Sequence, residues 1–267
     1  SRLPAGHACH PLACDQERPP VSAPGTLYGL GVGPGDPELL TLKALRILKA
    51  APVIAYPAPD HGTSFARAIV EGYLTGAQEE IAIVVPMRTE RFPAAAIYDE
   101  AAARIGDRLA AGQDVAVFCE GDPFFYGSFM YLFERLSRRF PVQIVPGVSS
   151  VMAATAASRR PLAARNDILT VIPGPLDDDA LRQRIEASDA FAIMKLGRHF
   201  GRVKALLGAM NLTDACAYCE RVTLPEERIM PLADVTGDAP YFSMILGYRG
   251  AEPGIRDAVI QRRETAQ

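Results

Sequence analysis

Short apolar runs alternate with segments of helical period along most of the 267 residues, and this alternation restricts the fold more than any other feature of the chain. The first runs are TLYGLGV from Thr26, PVIAY from Pro52, EEIAIVV from Glu79, DVAVFC from Asp114 and PVQIVPG from Pro141. Helix-period segments lie between them over 37–50, 64–74, 94–111 and 125–139, and another covers 148–158. Runs this short and this uniformly apolar are strands covered on both faces, and a helix between successive strands returns the chain in the same direction. The expectation is an α/β fold with a parallel sheet and helices on both faces. Ligands in such sheets bind beyond the C-terminal ends of the strands, where this chain places its Gly, Pro, Asp and Ser.

The pattern changes after SRRPLAARND, which starts at Ser158. ILTVIPG and AFAIMKLG are still followed by helical segments, over 177–187 and 200–210, but ACAYCERVTL, RIMPLADV and YFSMILGY follow one another with no helix between them. Consecutive strands without crossovers pair antiparallel, so the second half should hold a mixed sheet. The expected organisation is an N-terminal α/β domain over 26–146, a C-terminal α/β domain with the mixed sheet over 147–267, and an active cleft between them. Residues 1–25, with prolines at 4, 11, 19, 20 and 24, read as a flexible extension.

The first strand opens into GLGVGPGDPELL. Asp36 is placed to cap the next helix with Pro37 at its first position, and Leu39, Leu42, Leu45, Ile47 and Leu48 would form its buried stripe. A tight strand-to-helix turn accounts for the glycines without any ligand. A dinucleotide fingerprint fails in register: counted from Gly29 the sixth position is Pro34, and from Gly31 it is Asp36. Pro34 removes a backbone donor and Asp36 adds a negative charge where a pyrophosphate would sit. Asp60 follows the second strand at a distance that keeps a dinucleotide as an alternative, whereas no Walker motif is present. A glycine loop poor in donors and tipped with acid suits a ligand that approaches closely with little negative charge, such as a sulfonium nucleoside.

Read with the later loops, the chain is identified with a family. GVGPGDPELLTLKAL, EGDPFFYG, VPGVSS, AIMKLG, CERVT and YFSMILG, in this order, resemble the tetrapyrrole (precorrin/corrin) methyltransferases, a likeness running from Thr26 to about Gly247. The resemblance implies a homodimer of two α/β domains with S-adenosylmethionine (SAM) in the cleft between them. Carried over by position, the SAM contacts fall on Pro34, on Glu120, Gly121, Asp122 and Phe125, on Ser149 and Ser150, on Met194, on Val222, and on Phe242 and Ser243. Relatives that methylate C1 and C7 usually read GGDPFIFGRGGEE at the second motif. Glu120 and the segment YGSFMYLFERL depart from that reading, and the segments PLAARNDILTVIPG and MKLGRHFGRV also resemble the branch that methylates the C20 meso carbon in cobalamin biosynthesis.

Methyl transfer from a sulfonium needs alignment more than acid or base strength. Asp122 could orient the donor's ammonium or ribose; the alternative is a cap ahead of Phe124. A substituted meso carbon must lose a proton, for which Tyr126, Glu120 and Glu220 are candidates that spacing does not separate. A tetrapyrrole's carboxylates call for guanidinium forks, and Arg88, Arg91 and Arg165 are the best placed, with Lys195 behind them.

Composition narrows the remaining classes. A net charge of −3 offers no basic face for nucleic acid, no apolar run reaches membrane-spanning length, and no long apolar leader is seen, so the expectation is a cytoplasmic enzyme. The five cysteines are too few for a disulfide framework. His7, Cys9, His10 and Cys14 could ligate zinc but match no standard finger, and no metal is expected. Cys216 and Cys219 have redox spacing inside a strand, where positions three apart face opposite sides, so they read as buried structural thiols. His61 and His199 are too few to build a Ser-His-Asp arrangement.

Overall fold

The computed structural model describes residues 23–85, 93–258, 260 and 263–264. Arg88, Arg91 and the His7–Cys14 cluster lie outside the described residues.

The first strands and helices are β1 (Leu27–Gly31), α1 (Leu42–Ala50), β2 (Val53–Ala58), α2 (Phe65–Val70), β3 (Glu79–Val84), α3 (Pro93–Ala110), β4 (Val115–Cys119), α4 (Phe129–Leu136) and β5 (Val142–Val145). Their strands form a five-stranded sheet in the order β3-β2-β4-β1-β5 with every pairing parallel. Alternating side chains sort its interior into two layers. Leu27, Val53, Ile81, Val115 and Val117 pack under α3 and α4 with Ile105, Leu109, Phe129 and Leu132. Leu30, Ile54, Tyr56 and Phe118 pack on the other face with Ala44, Ile47 and Leu48 of α1 and Ile69 of α2. Both faces are covered, which is why these strands carry almost no polar alternation.

The chain continues through α5 (Ser150–Ala157), β6 (Leu169–Pro173), α6 (Asp178–Glu186), β7 (Ala190–Met194), α7 (Phe200–Ala209), β8 (Cys216–Glu220), β9 (Arg228–Pro231), β10 (Ser243–Tyr248), α8 (Pro253–Arg256) and β11 (Arg263–Glu264). The second sheet has the order β11-β9-β8-β10-β7-β6, in which β6 and β7 are parallel and the remaining pairings antiparallel, as a run of strands without crossovers requires. One face packs on α6 and α7, the other on α5 and Ile255 of α8. Cys216 belongs to the first of these layers and Cys219 to the second, opposite faces as expected, and burial pushes both thiols up to about 12.

Two local expectations are corrected. Asp36 does not cap an α-helix: its carboxylate accepts from the Glu38 N–H over a single 3-10 turn, Pro37–Leu39, and the helix begins only at Leu42 under Thr41, whose hydroxyl accepts from the Ala44 N–H. The later start rotates the stripe, so Leu42 is 86% exposed and Ala44, Ile47 and Leu48 are the buried set. The fourth helix begins at Phe129 rather than Phe125, because Tyr126 takes a left-handed backbone (φ 59°) that no α-helix accommodates.

Candidate active site

Three loops leave the C-terminal ends of β1, β4 and β5 and meet through backbone contacts at their glycines. Gly33 and Gly121 exchange backbone hydrogen bonds, N···O 3.3 Å and 2.8 Å. A Cβ on Gly31 would lie 2.5 Å from the Gly147 nitrogen, and one on Gly147 would lie 2.1 Å from the Gly121 carbonyl oxygen. Glycine is required at both places for close approach.

Asp122 fastens the junction. One carboxylate oxygen accepts from the N–H groups of Phe124 and Phe125 at 2.9 and 3.0 Å, and the other accepts from Gly147 N–H at 3.1 Å. Of the two roles open to Asp122, turn capping is visible in the geometry, extended to a bond across to the β5 loop. The first loop is short of free donors, as its sequence suggests: Val32 N–H goes to Cys119, Gly33 N–H to Gly121 and Asp36 N–H to the Thr223 hydroxyl. With Pro34 offering none, the loop has little to present to a diphosphate.

Facing this junction are the ends of β7 and β8 and the start of β10. Between the two sides lies a cavity of about 380 Å³, within the range of about 300–1,000 Å³ usual for small-molecule sites. Pro34, Glu120, Gly121, Asp122, Phe125, Ser149, Ser150, Met194, Val222, Phe242 and Ser243 all line it. The eleven positions singled out from six separate motifs therefore meet at one place. Rings span the gap: Phe65 from the start of α2 lies 4.9 Å, centroid to centroid, from Phe242, and Tyr241 packs edge-on against Phe242.

The charged groups sort clearly. Lys195 and Arg221 line the cavity, and the Lys195 ammonium sits 5.0 Å from the centre of the Tyr126 ring, a cation–π contact. Arg165 is not brought there; it is 85% exposed and pairs with Glu252 at 3.3 Å. Glu220 is not among the lining residues either: it accepts from the Tyr218 hydroxyl at 2.8 Å and from Arg228 at 3.1 Å, and its other oxygen lies 3.6 Å from the Arg221 guanidinium. Glu120 does line the cavity, and loss of water around its carboxylate raises its pKa, opposed in part by the N–H groups of Ala66 and of Glu120 itself. Cys119 and Cys219 also reach the lining, but burial holds both thiols well above the ordinary thiol range.

Backbone strain concentrates here. Seven described non-glycine residues have positive φ; Tyr126, Lys195 and Arg221 line the cavity, and Thr223 sits between the lining residues Val222 and Leu224. A left-handed β-branched Thr223 (φ 69°) costs of order 1–3 kcal/mol, and its hydroxyl bond to Asp36 N–H helps hold it. Sequence reasoning missed Arg221, Tyr241 and Phe65; the six-residue run from CER to VTL carried the only available signal, a charged pair at a strand end.

Residues 26–236 match the Tetrapyrrole (Corrin/Porphyrin) Methylases. The chain is 45% identical over 235 residues, 85% of its length, to the cobalamin biosynthesis protein CobIJ of Mycobacterium bovis, of which it spans 46%, about half. It is 38% identical over 231 residues to a precorrin-2 C(20)-methyltransferase of Sinorhizobium, covering 83% of this chain and 94% of that protein. It is 34% identical over 227 residues to a cobalt-precorrin-2 C(20)-methyltransferase of Salmonella typhimurium, covering 83% and 95%. Among solved structures, the native uroporphyrin III C-methyltransferase of Thermus thermophilus superposes with a TM-score of 0.61 at 25% identity, over 84% of this chain and 97% of that one. The form of that enzyme complexed with S-adenyl homocysteine gives 0.59 at 24% identity, over the same shares. With the family model matched over 26–236 and relatives at 38% and 34% identity over most of the chain, the chain belongs to the tetrapyrrole (corrin/porphyrin) methylase family.

Proposed function

We propose that the protein transfers a methyl group from S-adenosylmethionine to C20 of precorrin-2, giving precorrin-3A in cobalamin biosynthesis. The observation that carries this reading is the convergence of the eleven motif positions on one cavity. The near-complete coverage of the Sinorhizobium relative supports the substrate, and 38% identity to it against 34% to the cobalt-precorrin relative favours the metal-free macrocycle.

The cavity residues fit the donor's chemistry. Glu120 puts a carboxylate on the cavity wall, which suits a cationic ligand, the N–H groups of Val32, Gly33 and Asp36 that a diphosphate could use are already engaged, and most of the lining is apolar or backbone. When bound, SAM supplies an electrophilic methyl on a sulfonium. Pro34, Gly121 and Asp122 would hold it from the first sheet's side, Ser149 and Ser150 at the start of α5, and Met194, Val222, Phe242 and Ser243 from the second sheet's side. Phe65, Tyr241 and Phe242 exclude water, and Lys195 and Arg221 are the cations that would receive the macrocycle's carboxylates. Fixing donor and acceptor in line lowers the barrier by several kcal/mol, about 7–11 in favourable systems.

The same reading takes the protein as a cytoplasmic homodimer of domains 26–146 and 147–267. Incubation with precorrin-2 and SAM bearing an isotopic methyl, followed by NMR, should place the label on C20. A label on any other carbon rejects the assignment, and nicotinamide binding without SAM binding rejects the class.

A further inference from the structure

Substitution at a meso carbon is complete only when that carbon loses its proton, and the cavity narrows the groups that can take it. The thiols of Cys119 and Cys219 are held protonated by burial. The phenols of Tyr98 and Tyr241 are shifted upward, also by burial, so neither is a base near neutral pH, and the Tyr126 ring is engaged by the Lys195 ammonium. Lys195 and Arg221 are cations, and no histidine is among the described residues lining the cavity.

Two carboxylates remain among the described residues. Both oxygens of Asp122 are occupied by three backbone N–H groups, and withdrawing them would loosen the loop junction. Glu120 lines the same cavity and, among the described residues, has backbone N–H groups rather than a paired cation beside it. Its neighbours are Cys119 and Asp122 on its own loop, Tyr98 from α3, Tyr241 ahead of β10, and the Ala66 N–H of α2.

Resting on the C20 reading, we propose that Glu120 is the proton acceptor of the reaction. The bond from C20 to the methyl carbon forms as the methyl–sulfur bond breaks, leaving a neutral thioether and a cationic macrocycle. The C20–H bond then breaks, its electron pair returns to the conjugated ring, and the proton passes to the Glu120 carboxylate and from there to water. The desolvated setting brings this carboxylate nearer the working pH, which makes it a better base than an exposed one.

The test compares wild type, Glu120→Gln and Glu120→Asp, with precorrin-2 carrying hydrogen or deuterium at C20. Glu120→Gln should lower kcat by about 10²–10⁴-fold, show a larger deuterium effect than wild type, weaken SAM binding in equilibrium dialysis by far less than it lowers kcat, and melt no lower. Glu120→Asp, retaining a carboxylate, should recover at least about tenfold of the lost rate. A kcat for Glu120→Gln within about threefold of wild type hands the proton to water and overturns the proposal. Loss of SAM binding with no change in the deuterium effect overturns it too, making Glu120 a donor-positioning residue. A wild type that leaves precorrin-2 unmethylated is a different failure, because it removes the substrate reading on which the proposal rests.

Discussion

Gly147→Ala tests whether the three-loop junction sets the geometry of the site. A Cβ there would stand 2.1 Å from the Gly121 carbonyl oxygen and 2.8 Å from the Gly31 Cα, and real Cβ atoms essentially never approach within 3.0 Å. The two loops must therefore part by about 0.9 Å. All the obstructing atoms are backbone, so no side-chain rotation relieves the clash. Overpacking of this kind costs about 1–3 kcal/mol, and the movement also strains the 3.1 Å bond from Gly147 N–H to Asp122. At about 2–4 °C per kcal/mol, the melting temperature should fall by roughly 2–12 °C. A shift near 1 Å between loops that hold donor and acceptor should lower kcat/KM by about 10²-fold. Calorimetry reads the first quantity and steady-state methylation of precorrin-2 the second. An alanine variant that keeps both its melting temperature and its kcat/KM would refute the view that this backbone contact positions the ligand.

Other outcomes follow from single contacts. Asp122→Ala leaves three N–H groups without their acceptor and should cost about 1–3 kcal/mol in chemical denaturation while weakening SAM binding in dialysis. Thr41→Ala should cost about 1 kcal/mol and exceed Asp36→Ala in the same assay, because Thr41 caps the nine-residue helix and Asp36 only a three-residue turn. Gly201→Ala, in α7 with nothing within 4 Å of the new Cβ, should stabilise by up to about 1 kcal/mol. The raised pKa of Glu120 favours its protonated form in the folded state, so its stabilising contribution is present below the ordinary carboxylate range and lost as pH rises through the raised value. Glu120→Gln should then gain on wild type in melting temperature at pH 7 relative to pH 4, which pH-dependent melting curves would read.

Much of this architecture is legible because burial is written into composition. Strands such as VAVFC are apolar on both faces only when both faces are covered, and the run of three late strands without helices announces antiparallel pairing. Helix starts were less legible where two capping residues compete: Asp36 with Pro37 is the stronger signal, yet Thr41 five residues on opens the helix and moves Leu42 to the surface. The cavity's loops were legible as motifs, but the left-handed backbones of Tyr126, Lys195 and Arg221 were not, because those residue types disfavour that conformation and adopt it here under tertiary constraint. A sequence gives no reason to prefer Arg221, on the cavity, over Arg165, which faces solvent and Glu252.

The central claim is that the space between the glycine junction and the ends of β7, β8 and β10 holds the methyl donor. A crystal structure with S-adenosylhomocysteine tests it most directly. The account predicts density for the nucleoside and amino-acid portions bounded by Pro34, Gly121, Ser150, Met194 and Phe242. An empty cavity at saturating ligand, or the ligand seated elsewhere on the protein, would contradict it.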